Sequence, residues 1–140
     1  MTARICDLQD LRPERPAALT IGVFDGVHRG HQALISQTVQ RARAIGGRSI
    51  VLTFYPHPRL VLRPDVPVYE LTSLSERAEL IAALGVDVVA TLAFTKELSL
   101  LPAEAFIDML LQHVALRELC VGPDFALGHL NYGVALARLG

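Results

Sequence analysis

Two short apolar runs, Ala17-Ala18-Leu19 with Ile21 and Ser49-Ile50-Val51-Leu52-Thr53-Phe54, flank a stretch of helical periodicity. That alternation constrains the fold more than any other feature of the chain. Each run is brief, apolar and bounded by turn residues, as in a strand buried on both faces. Between them, from about Gly30, Leu34, Ile35, Thr38, Val39, Ala42 and Ile45 recur at helical spacing, and Gly46-Gly47 supplies the stop. Strand, long helix and strand make a βαβ unit, so the two strands are expected to lie parallel.

The remaining chain continues the alternation. Arg4-Ile5-Cys6-Asp7-Leu8 reads as a short edge strand, and residues 59–71 as an irregular, proline-rich excursion. Ser73-Leu74-Ser75-Glu76 is a capping box opening a helix that ends at Gly85, with Ala78, Ile81, Ala82 and Leu84 on its buried face. Asp87 to Leu92 is the next strand, and Phe94-Thr95-Lys96-Glu97 leaves it as a loop. Pro102 and Glu104 suit the first turn of a further helix, lined inside by Phe106, Met109, Leu110 and Val114. Leu119-Cys120-Val121-Gly122 is the last strand, and His113 is read as a flank residue without chemistry.

The first βα junction carries the chemistry. In Gly22-Val23-Phe24-Asp25-Gly26-Val27-His28-Arg29-Gly30-His31, three glycines allow positive φ or close backbone approach, as a loop packed on a phosphate requires. The helix that follows aims its free N–H groups and the positive end of its dipole into that loop, an anion site. His28 and His31, three apart, let one turn direct both imidazoles at a single bound group, each donating an N–H to a phosphate oxygen. The pair alone also fits a loop histidine beside a capping histidine, while zinc needs more ligands than Cys6 and Cys120 offer at their spacing. Pro56-His57-Pro58 leaves the carboxyl end of the second strand, where ligands of open α/β sheets collect. The prolines are expected to hold His57 in a stiff, extended loop.

Composition narrows the function. Hydrophobic residues make up 51% of the 140, enough for one globular domain with a packed core. Lys+Arg 13 against Asp+Glu 14 leaves a net charge of -1, which gives no broad basic face for nucleic acid or an acidic membrane. Two distant cysteines, and neither an export segment nor a bilayer-length apolar run, make the cytoplasm the expected compartment.

The ten residues from Gly22 to His31, together with Thr53-Phe54-Tyr55-Pro56-His57-Pro58 and Val121-Gly122-Pro123-Asp124-Phe125, resemble the bacterial FAD synthetases. These form the adenylyltransferase module of bifunctional riboflavin kinase/FMN adenylyltransferases, within the His-x-Gly-His nucleotidyltransferase superfamily. The resemblance implies an α/β fold: a Rossmann-like open parallel sheet with helices on both faces, lacking the usual last strand and helix. Residues 1–140 are then an incomplete FAD synthetase-like domain with no riboflavin kinase domain. It implies catalytic roles for His28 and His31, and a nucleotide site of Gly22, Phe24, Asp25 and Gly30 with both histidines. Thr53, Phe54, Pro56, His57, Pro58, Asp124 and Phe125 would take the flavin.

The implied reaction transfers AMP from ATP to FMN, giving FAD and pyrophosphate. ATP and FMN are the implied partners, with neither nucleic acid nor membrane. Mg²⁺ accompanies the ATP phosphates rather than a cage of protein ligands, and Asp25 is either an outer ligand or a loop-orienting acceptor. Three positions depart from the family: Tyr55 stands where Asp is common, and Ala126 and Leu127 where Arg and Phe are usual. The later Ile-Ser-Ser-Thr-x-Ile-Arg motif is absent. Two alternatives stay open: a transferase for another phosphorylated acceptor, and a non-catalytic nucleotide- or flavin-binding module.

Overall fold

The computed structural model describes residues 3–56, 58–67, 69–122, 126–127 and 130–131. Five parallel strands form the central sheet: β1 (Arg4–Asp7), β2 (Pro16–Gly22), β3 (Arg48–Tyr55), β4 (Val88–Ala93) and β5 (Ala115–Cys120). Their order is β1-β4-β3-β2-β5, so the expected edge strand is β1. The helices are α1 (Arg29–Ala44), α2 (Pro58–Leu62), α3 (Leu74–Ala82), α4 (Lys96–Ser99) and α5 (Ala103–Leu111). A short antiparallel pair, β6 (Ala126–Leu127) and β7 (Leu130–Asn131), was not anticipated.

Strand alternation sorts the core into two layers. Ile50 and Leu52 of β3 and Val88 and Ala90 of β4 face a cluster completed by Ala103, Phe106, Ile107 and Leu110 of α5. Val51 and Val89 point the other way, onto Ile35 and Val39 of α1 and Ala78 and Ile81 of α3. The sheet is thus covered on both faces, as the βαβ pattern requires.

Several boundaries differ from the sequence reading. The last strand begins at Ala115 and ends at Cys120, before Val121-Gly122. Its middle carries Arg117 and Glu118, tolerated because β5 lies at the sheet edge and Glu118 pairs with Arg41 of α1 at 2.8 Å. Thr95 accepts a bond from the Leu98 amide and converts the expected 94–97 loop into the one-turn α4. Pro58 starts α2 within the segment read as extended and irregular; a proline fits the first helical position, where no N–H is needed. Pro102 is the N-cap of α5 rather than part of its first turn. The capping box is present as read, Ser73 accepting from the Glu76 amide and Glu76 from the Ser73 amide. Among the described residues no helix is long and apolar enough to cross a membrane.

The topology decides where a ligand can sit. From β2 the chain moves stepwise to β3 and β4, then returns through α5 to place β5 on the far side of β2. The carboxyl ends of β2 and β5 therefore flank a switch point, where the flanking connections diverge and leave a crevice.

Candidate active site

A cleft of about 700 Å³ opens at that switch point, lined by Ile21 and Gly22 from β2, Val121 and Gly122 after β5, and His28, Gly30, His31 and Leu34 at the start of α1. The loop from β2 into α1 is strained. Phe24 has φ 55 and Val27 φ 45, conformations that are uncommon for non-glycine residues and costly for a β-branched one. Gly26 has φ 77, which glycine adopts freely. Gly22 is required for a different reason. A Cβ there would lie 2.9 Å from the Phe24 ring, which folds back over the strand end.

Phe24 is itself buried, and its ring meets the edge of His31 in a T-shaped contact at 5.2 Å. It supports the site from below. Both imidazoles lie together: His28 and His31 stack with centroids 3.6 Å apart and planes 25° from parallel. His28 is the N-cap residue of α1, yet its side chain makes no capping bond, so the capping role open in the sequence is not used. His31 Nδ1 is buried without a hydrogen-bond partner. Burial, and then the neighbouring His28, push the His31 pKa below its ordinary value, with Asp25 pulling weakly the other way.

Asp25 is a loop-orienting acceptor. Its carboxylate accepts the Leu71 amide at 2.8 Å, the Thr72 amide at 2.9 Å and the Thr72 hydroxyl at 2.9 Å. The Gly26 amide donates back to Thr72 Oγ1 at 3.3 Å. Burial raises the Asp25 pKa, but these donors outweigh it and hold the carboxyl below the usual range. Three of the four contacts to this carboxylate fall on Oδ1, and Oδ2 takes the Leu71 amide. Among the described residues no group of three or more His, Cys, Asp or Glu is placed to hold an ion.

The residues expected on a flavin side are divided. Thr53 sits beside Gly22 in the β2–β3 register, but it is fully buried and donates its hydroxyl to the Val23 carbonyl at 2.9 Å. It holds the loop between β2 and α1 rather than facing solvent. Phe54 is half-buried and packs edge-on against Phe94 at 5.5 Å. Pro56 and Pro58 flank the end of β3, while His57, Asp124 and Phe125 lie outside the described residues. Of the departures, Tyr55 is exposed and lines a second cleft of about 440 Å³ with Asp7, Leu92 and His113. His113 Nδ1 also lies 3.2 Å from the Leu11 carbonyl, so it fastens the N-terminal segment.

Sequence reasoning missed two residues of the loop. Gln32 donates from Nε2 to the Val27 carbonyl at 2.9 Å, fixing the turn into α1. Thr72, the partner of Asp25, sits in a stretch with no motif of its own, and nothing local marks it.

Comparison with known proteins agrees with this geometry. The family model described as FAD synthetase matches residues 11–137. The chain belongs to the FAD synthetase family. It is 42% identical over 123 residues to the bifunctional riboflavin kinase/FMN adenylyltransferase of Pseudomonas fluorescens, covering 86% of this chain and 39% of that protein. To the enzyme of the same description from Listeria monocytogenes it is 40% identical over 116 residues, 82% of this chain and 37% of the relative. The Escherichia coli K12 counterpart is 38% identical over 117 residues, 83% and 37% respectively. This FAD synthetase family member therefore spans well under half the length of these relatives. A crystal structure described as a macrolide-efflux protein from Streptococcus pneumoniae superposes with TM-score 0.77 at 24% identity, over 91% of this chain and 44% of that one. At that identity it speaks for the fold alone.

Proposed function

We propose that this domain transfers AMP from ATP to FMN, forming FAD and releasing pyrophosphate. The observation that supports it most is the stacked His28–His31 pair at the N-terminus of the 16-residue α1, over a switch-point cleft, in a chain of this family.

An FMN phosphate oxygen attacks the α-phosphorus of ATP, and the bond from that phosphorus to the bridging oxygen of pyrophosphate breaks. The attacking phosphate is ionised near neutral pH, so no strong base is needed and catalysis rests on positioning and charge stabilisation. His28 and His31 donate N–H groups to phosphate oxygens as charge builds, and the free amides of the first turn of α1 act from the same side. Bound Mg²⁺ would be held by the nucleotide's phosphate oxygens and water rather than by a cage of protein ligands, and would screen their charge. Asp25 and Thr53 fix the loop. The end of β3, with Phe54, Pro56, His57 and Pro58, and the Asp124-Phe125 segment receive the flavin. A reaction fed by ATP and FMN belongs to the cytoplasm.

The test is FAD formation by the natural full-length chain from ATP, FMN and Mg²⁺, followed by chromatography. His28→Ala and His31→Ala should each lower kcat by ~10²–10³. Near-normal turnover in both variants, or binding of FMN and ATP with no FAD formed, would overturn the reading.

A further inference from the structure

Arg77 is the largest fully buried side chain in the molecule's described residues, at 0% exposure on the inner face of α3. Arginine is almost never fully buried unless it is paired, because the guanidinium loses its hydration. Here the pairing is thin. Nη1 lies 3.5 Å from Thr53 Oγ1 and 3.4 Å from the Phe54 carbonyl, both long. Nε and Nη2 have no hydrogen-bond partner. The Glu70 carboxylate stands 3.6 Å from Nη2, near enough for charge attraction but not for a hydrogen bond.

These contacts join two segments of the site that share no sequence. Thr53, which Arg77 approaches, holds the Val23 carbonyl at the start of the nucleotide loop. Glu70 immediately precedes Leu71 and Thr72, whose amides bind Asp25 in the same loop. The Arg77 charge also acts on the Asp25 carboxylate. A core that needed only packing would be served by a methionine of similar length, which brings no desolvation cost.

We infer that Arg77 is a positioning residue for the nucleotide loop: its guanidinium holds the end of β3 and the 70–72 strap in the arrangement that presents His28 and His31. This rests on the adenylyl-transfer reading for its kinetic consequence, but not for its structural one. A loop displaced by even a fraction of an ångström weakens contacts made in the transition state, so kcat falls more than stability does.

The experiment compares wild type with Arg77→Met and Arg77→Lys in the natural full-length chain, reading FAD formation, melting temperature and amide hydrogen exchange. Arg77→Met keeps the stem and removes the donors. It should lower kcat about tenfold or more, leave the melting temperature within a few degrees, and speed exchange in segments 22–27 and 70–73 with α5 unchanged. Arg77→Lys should recover part of kcat. Should Arg77→Met fail to fold, Arg77→Lys and Glu70→Gln carry the test, each with a smaller fall in kcat and the same local loss of protection. Unchanged exchange in both segments, or kcat within twofold of wild type in every folded variant, overturns the inference. If wild type itself makes no FAD, the proposed reaction fails, and exchange alone decides the role of Arg77.

Discussion

The rings of His28 and His31 are stacked 3.6 Å apart, so the neighbouring His28 makes a proton on His31 costly. Burial first, and His28 second, lower its pKa from the ordinary 6.5. A triphosphate beside the pair reverses the balance, because an anion favours the imidazolium. Nucleotide binding should therefore take up a proton, and affinity should rise as pH falls through the window between the free and bound pKa of His31. Calorimetric titration of ATP near pH 6.5, in buffers of different ionisation heat, measures that uptake directly; it should shrink in His31→Gln.

The same shift has the opposite sign for the folding stability of the protein by itself. Below the ordinary value of 6.5 the unfolded chain takes up a proton that folded His31 still refuses. Stability should fall as pH drops from about 6.5 to the folded pKa and level off below it. His31→Gln should flatten that part of a plot of melting temperature against pH, and an unaltered plot would contradict it.

Asp25 behaves as a carboxylate held in its ionised form. Burial works against it, but the Leu71 and Thr72 amides and the Thr72 hydroxyl lower its pKa from 3.8. Its contribution is present above the unfolded value and disappears as pH falls through the lower folded one. Asp25→Asn should cost about 1.5–3 kcal/mol at pH 7, the range for hydrogen bonds to a charged group. Urea unfolding at pH 7 and again near pH 3 checks this, since the gap between the two proteins should narrow in acid.

Gly46 and Gly47 end α1 for different reasons, and alanine should separate them. Gly46 has φ +65 with open space around it, so Gly46→Ala should cost about 1–2 kcal/mol of backbone strain. A Cβ on Gly47 would collide with the Pro16 carbonyl in the neighbouring strand, which cannot move without disturbing β2. Gly47→Ala should cost about 3 kcal/mol or more, and the reverse order in thermal unfolding would be a contradiction.

The parts of the fold read correctly are those whose cause is local. The Ser73–Glu76 capping box needs only residues three apart, and the apolar faces of α1 and α3 follow from periodicity. His28 and His31 meet because an i, i+3 pair at a helix start has few other places to go. What the sequence concealed depends on partners far along the chain. Ala115 to Glu118 of β5 were hidden by the charges of Arg117 and Glu118, whose cost is offset by an edge position and by Arg41 on another element. Asp25 is a turn residue or a metal ligand until Thr72, 47 positions away, is brought beside it. Arg77 left a faint signal, a cation sharing the helix face of Ile81, but its surroundings come from β3 and the 70–72 strap.

Arg4 is matched with Val88, so β1, made before the other four strands of the sheet, finds its place only once β4 has been made. A nascent chain that ends after β3 already carries the histidine pair, but neither Thr72 to steady Asp25 nor β4 to receive β1. Assembly of this all-parallel sheet is governed by distant pairings, which makes it slow and leaves strand edges open meanwhile. The site is therefore complete only after β4 and β5 have been made, however early its signature residues appear.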